Sequence, residues 1–108
     1  EALRIAKTNL NMEGNGHTAG IHSNDQANVI KAGTELSVSR LILNAPCATT
    51  AGGSIQNGLP VTNTLGCGSW GNNSISENFT YKHLLNITRI APLSARIHVA
   101  SDEEIWAD

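Results

Sequence analysis

Apolar positions near the start of the chain recur at helical spacing. Leu3, Ala6 and Leu10 fall at i, i+3 and i+7, which places them on one face and predicts a helix over 1–12. Gly14-Asn15-Gly16 breaks it, as glycine does at a helix C-terminus. His17-Thr18-Ala19-Gly20-Ile21-His22 is short and bounded by turn residues, and predicts a strand over 17–22. Ser23-Asn24-Asp25 supplies residues that cap helix N-termini, and Ala27, Ile30 and Thr34 share a helical face, so a second helix is expected over about 25–36. Gly33 inside it costs about 1 kcal/mol relative to Ala. Val38 to Leu43 is the strongest strand pattern in the chain. Strand, helix, strand at this spacing is a βαβ unit, which would set 17–22 and 38–43 parallel in one sheet. The expected class is α/β.

Residues 44–74 lose this periodicity and are dominated by Asn, Gly, Ser, Thr and Pro. So long a loop in a small domain has a function or argues against the assignment; glycine admits close approach of backbone to a ligand, which favours the functional reading. Further on, 86–91 reads as a strand that Pro92 ends, and Ser101-Asp102-Glu103-Glu104 is a capping signature for a short helix or turn over 101–107.

Composition narrows the classes. The chain has 108 residues and a net charge of -2, with Lys and Arg scattered singly, which gives no case for nucleic acid or an anionic membrane. Aromatics are 4%, against a stacking surface for sugars or bases. No apolar run approaches the length of a transmembrane helix, and the polar opening Glu1-Ala2-Leu3-Arg4 is not a signal peptide. The chain opens without an initiator Met, which reads as a fragment.

Candidate chemistry is sparse. The histidines His17, His22, His83 and His98, with Cys47 and Cys67, show no zinc-site spacing, and no metal is expected. Nothing local supplies either cysteine with a base, so both read as small buried hydrophobes. Gly66-Cys67-Gly68-Ser69-Trp70-Gly71 runs into Asn-Asn-Ser and opens no helix, so it is not a dinucleotide fingerprint. It can still form a tight loop around a ligand. His17 follows a glycine-rich turn and can face a cleft, as an acid/base histidine would; an ordinary surface histidine remains the alternative. Three Asn-X-Ser/Thr triplets, at Asn72, Asn78 and Asn86, carry weight only in a secreted protein.

The run from Thr64 through Gly66-Cys67-Gly68-Ser69-Trp70-Gly71 to Asn78 resembles the CoA-acylating aldehyde dehydrogenases, including the aldehyde dehydrogenase half of bifunctional aldehyde-alcohol dehydrogenases. Gly16-His17-Thr18-Ala19, Arg40-Leu41-Ile42-Leu43-Asn44-Ala45-Pro46 and Lys82-His83-Leu84-Leu85-Asn86 follow the family's order, and the resemblance covers about residues 12–90.

That resemblance implies a C-terminal piece of an aldehyde dehydrogenase catalytic domain. About 1–74 would be the catalytic-domain part, with the βαβ unit and the Gly-rich loop. About 75–108 would be an oligomerisation arm and tail, its 86–91 strand pairing with a neighbouring subunit of a homo-oligomer. It implies a covalent mechanism, in which a cysteine thiolate attacks the aldehyde, NAD takes the hydride and coenzyme A takes the acyl group. The nucleophilic cysteine and most of the NAD site would lie in a missing N-terminal portion, the chief partner, and neither Cys47 nor Cys67 inherits the nucleophile's role. His17 would be the catalytic acid/base, helping deprotonate the thiol of coenzyme A. Gly66, Cys67, Gly68, Ser69 and Trp70 would line the acyl or CoA pocket. The implied setting is the cytoplasm, bacterial microcompartments included. Alone the chain is expected to be inactive. A docking and oligomerisation module without catalysis, or a secreted binding module, are the competing readings.

Overall fold

In the computed structural model, which describes residues 1–94 and 96–107, helix α1 (Ala2–Met12) leads through the Gly14-Asn15-Gly16 turn into strand β1 (Gly16–Ile21). Helix α2 (Gln26–Glu35) then crosses to strand β2 (Val38–Leu43). The expected βαβ unit is present: β1 and β2 pair in parallel, with Gly16 opposite Val38 and Ile21 opposite Leu43. β2 has the bounds its aliphatic run predicts; β1 begins one residue earlier, because Gly16 N–H donates to the Ser37 carbonyl at 2.7 Å.

Local chemistry sets the ends of these elements. Asp25 caps α2, its Oδ1 accepting from Ala27 N at 2.9 Å. At the carboxyl end of the sheet Asn44 takes the left-handed conformation, φ 53°, which Asn tolerates better than most residues. Its side chain receives Ser23 N–H at 2.8 Å and donates to Ser23 O at 3.0 Å, tying the exits of both strands together. Lys7 and Glu35 pair at 2.7 Å and hold α1 to α2. The Lys7 hydrogen bond is the main reason the Glu35 carboxyl sits below its ordinary range.

The long loop is organised. It contains a short helix, α3 (Cys47–Thr50), and two 3₁₀ turns, Ser69–Gly71 and, beyond it, Tyr81–Leu84. Residues 64–68 run antiparallel to 75–79 around the bridge Leu65–Asn78, with Gly66 N donating to Glu77 O and Gly68 N to Ile75 O. Asn78, 2% exposed, is the clamp, its Nδ2 donating to Ala51 O at 3.0 Å and Pro60 O at 2.8 Å. Near the C-terminus Ser101 and Glu104 form the expected capping box at the head of α4 (Asp102–Ile105).

Residues 86–91 are a departure from expectation: they form no strand. A strand needs another to receive its N–H and C=O groups, and these residues find none among the described residues. Ile87 and Ile90 are exposed there.

The core is small. Ala32, Leu36, Ile42 and Ala51 are its buried apolar members, whereas Met12, Ile55, Ile90 and Leu93 are at least 80% exposed. The radius of gyration is 19.3 Å, against about 13 Å for a self-contained domain of this length. The chain does not enclose a full hydrophobic core.

Candidate active site around His17

His17 is the second residue of β1, carried on a turn in which Gly14 and Gly16 have φ of 90° and 81°. Its ring is exposed, and its Nδ1 lies 3.0 Å from Thr18 Oγ1. Arg40, opposite Thr18 in the sheet, reaches back across the ladder. Its Nε donates to Thr18 Oγ1 at 3.0 Å and its Nη2 to the His17 carbonyl at 3.0 Å. Arg40 is only 4% exposed, no carboxylate pairs with it among the described residues, and its Nη1 is buried without a partner. A buried cation without a counter-charge is expensive, so its guanidinium depends on the two acceptors that β1 provides. A single charge inside the aliphatic run Val38–Leu43 was the available signal for this group, and sequence reasoning passed over it.

His17 and Thr18 line a concave space of about 340 Å³ with Cys47, Ala48, Ala51, Gly52, Thr62, Asn63 and Leu65. Its walls therefore come from β1, α3 and the loop that follows. Cys47 is half-buried, and desolvation pushes its thiol above the ordinary range, with the Arg40 charge opposing. A thiol held protonated is a poor nucleophile.

The run Gly66–Trp70 is elsewhere: none of its residues lines that space. It packs on the turn that precedes His17. A Cβ on Gly16 would collide with the Cys67 carbonyl oxygen, and one on Gly71 with the Cys67 side chain and the Asn15 carbonyl. The close approach these glycines permit is between two parts of the backbone. Gly66 and Gly68 are buried, Cys67 is half-buried with its N–H donating to Asn73 Oδ1 at 2.9 Å, and Ser69 and Trp70 are exposed. The other histidine of the family motifs, His83, stacks on Phe79 with centroids 5.2 Å apart and accepts Thr80 N–H at 2.9 Å, a structural position.

No group of three or more His, Cys, Asp or Glu side chains that could hold a metal occurs among the described residues. A nicotinamide dinucleotide does not fit the turn from β1 to α2. The N-terminus of α2, where a pyrophosphate would sit, is occupied by the Asp25 carboxylate. No helix among the described residues is long and apolar enough to cross a membrane.

A parallel βαβ frame is the architecture of part of an α/β domain. No family model matches the chain. Individual proteins do. The chain is 58% identical over 106 residues to succinate-semialdehyde dehydrogenase (acetylating) of Clostridium kluyveri, covering 98% of this chain and 23% of that protein. It is 41% identical over 108 residues to sulfoacetaldehyde dehydrogenase of an Acholeplasma species, covering all of this chain and 22% of that protein.

Among solved structures, a probable aldehyde dehydrogenase from Listeria monocytogenes superposes with a TM-score of 0.78 at 38% identity, over 96% of this chain and 22% of that one. An acetylating aldehyde dehydrogenase from Geobacillus thermoglucosidasius gives a TM-score of 0.72 at 34% identity, over 92% of this chain and 22% of that one. The chain is similar to one stretch of the acylating aldehyde dehydrogenases, and spans between a fifth and a quarter of the length of these relatives.

Proposed function

We propose that the chain works as the C-terminal part of the catalytic region of an NAD-dependent CoA-acylating aldehyde dehydrogenase, which interconverts an aldehyde and its acyl-CoA thioester. The observation that carries this reading is His17, in its Gly-His-Thr setting, standing exposed at the rim of a cleft on the α/β frame. Its role is that of acid/base partner to a cysteine nucleophile supplied by the N-terminal portion of the enzyme. Cys47 shares the cleft, but its raised thiol argues against its being that nucleophile. NAD is held by that other portion, in keeping with the closed α2 terminus, and coenzyme A enters as co-substrate. Exposed Ser69 and Trp70, with Gly66, Cys67 and Gly68 behind them, meet the acyl or CoA chain outside the cleft. The division is into a catalytic part at about 1–74 and an arm at about 75–108; the uniform exposure of 84–94 and 96–107 supports an arm, while 75–79 pack back on 64–68. The setting is cytoplasmic.

The test is a thioester-forming assay with NAD, coenzyme A and a short aldehyde, on this chain alone and after adding the N-terminal portion. Activity is expected only in the mixture, and His17→Ala should lower it by about 10²- to 10⁴-fold. Activity from the chain alone would sink the reading. The unpaired residues 86–91, with Ile90 92% exposed, favour a second role in the same enzyme: strand addition to a neighbouring subunit of a homo-oligomer. If a folded mixture is inactive, docking is the role that remains.

A further inference from the structure

An acid/base histidine can offer either a hydrogen or a lone pair, and the ring nitrogen left free decides which. At His17 the free nitrogen is Nε2, since Nδ1 is engaged by Thr18 Oγ1. What Thr18 does with Nδ1 follows from counting donors and acceptors. A hydroxyl has one hydrogen and two lone pairs. One lone pair is taken by Arg40 Nε–H. No acceptor for the hydroxyl hydrogen other than His17 Nδ1 lies within hydrogen-bond distance among the described residues. If Nδ1 carried the ring hydrogen, Thr18 would accept twice and its own hydrogen would be left over. The Arg40 charge also weakens that oxygen as an acceptor and strengthens it as a donor, because a charged donor polarises the hydroxyl it binds. Arg40 in turn is fixed, being 4% exposed and held a second time by the His17 carbonyl.

We propose that Thr18 and Arg40 are positioning residues for His17. Through the chain Arg40 Nε–H to Thr18 Oγ1, and Thr18 O–H to His17 Nδ1, they hold the neutral imidazole with its hydrogen on Nε2. His17 then meets the substrate as a hydrogen-bond donor. The oxygen it serves is the carbonyl oxygen that gains negative charge when a thiolate adds to an aldehyde or thioester carbon. As the C–S bond forms, the C=O π pair moves onto oxygen and the Nε2 hydrogen bond stabilises it. This assigns His17 the acid half of acid/base chemistry in its resting state, in place of deprotonating coenzyme A. It rests on the acylating reading above.

The experiment uses the complete enzyme with ¹⁵N-labelled histidine. The His17 ring signals are identified by their loss in His17→Gln. The wild type and Thr18→Ser should both show the neutral Nε2–H form, and Thr18→Val should lose that preference. The kcat for thioester formation should fall by about 10- to 100-fold in Thr18→Val with KM for the aldehyde little changed, and Thr18→Ser should restore it. A hydrogen on Nδ1 in the wild type would overturn the proposal without need of any variant. So would a loss of kcat in Thr18→Val with the ring form unaltered, or an altered ring form with kcat intact. Should the wild type form no thioester at all, the acylating reading fails, and the ring signals alone still decide whether Thr18 and Arg40 set the imidazole.

Discussion

At the scale of single residues, two side chains near the cleft have consequences that can be measured. Cys47 combines a half-buried thiol with a neighbouring cation, and burial outweighs the charge, so its thiol titrates above the ordinary range. It should therefore alkylate with iodoacetamide more slowly than a free thiol near neutral pH. The lag should close as the pH rises through the raised value, because only the thiolate reacts. Followed by mass spectrometry against pH, a Cys47 that reacts faster than a free thiol at neutrality would show that its environment favours the thiolate. Gly16 is constrained from two sides: its φ is 81°, and the Cys67 carbonyl lies where a Cβ would be. Gly16→Ala should destabilise the fold by about 3 kcal/mol or more, as strain at a special backbone position and a clash add. A lower thermal midpoint by circular dichroism reads this. The glycine itself was evident in the sequence as a turn residue. Its second reason, contact with a loop about fifty residues further on, could not be.

Among the elements, the βαβ unit was the most legible. Its helix has an apolar face at 3.6 spacing and a capping residue; its second strand is a compact aliphatic run. Both are local signals. Asp25→Ala should cost about 1 kcal/mol by removing the cap of α2, visible as a shift in chemical denaturation. A neutral result would mean that Ser23 or water replaces it. The loop after β2 was legible only as a loop. Its order comes from Asn side chains that satisfy backbone groups far along the chain, above all Asn78, which holds the carbonyls of Ala51 and Pro60. Asn78→Ala leaves the buried Ala51 carbonyl and the part-buried Pro60 carbonyl without this donor and should destabilise by about 1–3 kcal/mol. Hydrogen exchange should show the 51–66 region loosening while β1 and β2 stay protected. Composition did not announce this role, since Asn is frequent throughout the segment. The same two bonds occupy the amide nitrogen of Asn78, which leaves it no freedom for glycosylation in this fold.

The molecule as a whole buries too little apolar surface to be self-sufficient. Among the described residues seventeen large hydrophobic side chains are exposed, from Ile5 to Trp106, well beyond the scattered few a monomer carries. Among the described residues neither outer edge of the two-stranded sheet is paired, which invites further strands. The chain alone is therefore expected to bind a hydrophobic dye such as ANS and to unfold with little cooperativity. Addition of the N-terminal portion should reduce dye binding and sharpen the transition. A sharp, dye-free transition of the chain alone would show that it forms a core unaided.

By itself the sequence determined the α/β frame, the family and the candidacy of His17. Each of these rests on signals carried within a short window: periodicity, caps and contiguous motifs. The tertiary structure alone decided what surrounds that histidine. It brought Arg40 from β2 beneath Thr18, set Cys47 and Leu65 across the cleft, and turned the Gly66–Trp70 run onto the turn at Gly16. It also left 86–91 without a ladder, although its pattern is that of a strand. Pairing and burial are properties of what a segment meets, and a segment's own residues specify only what it could meet.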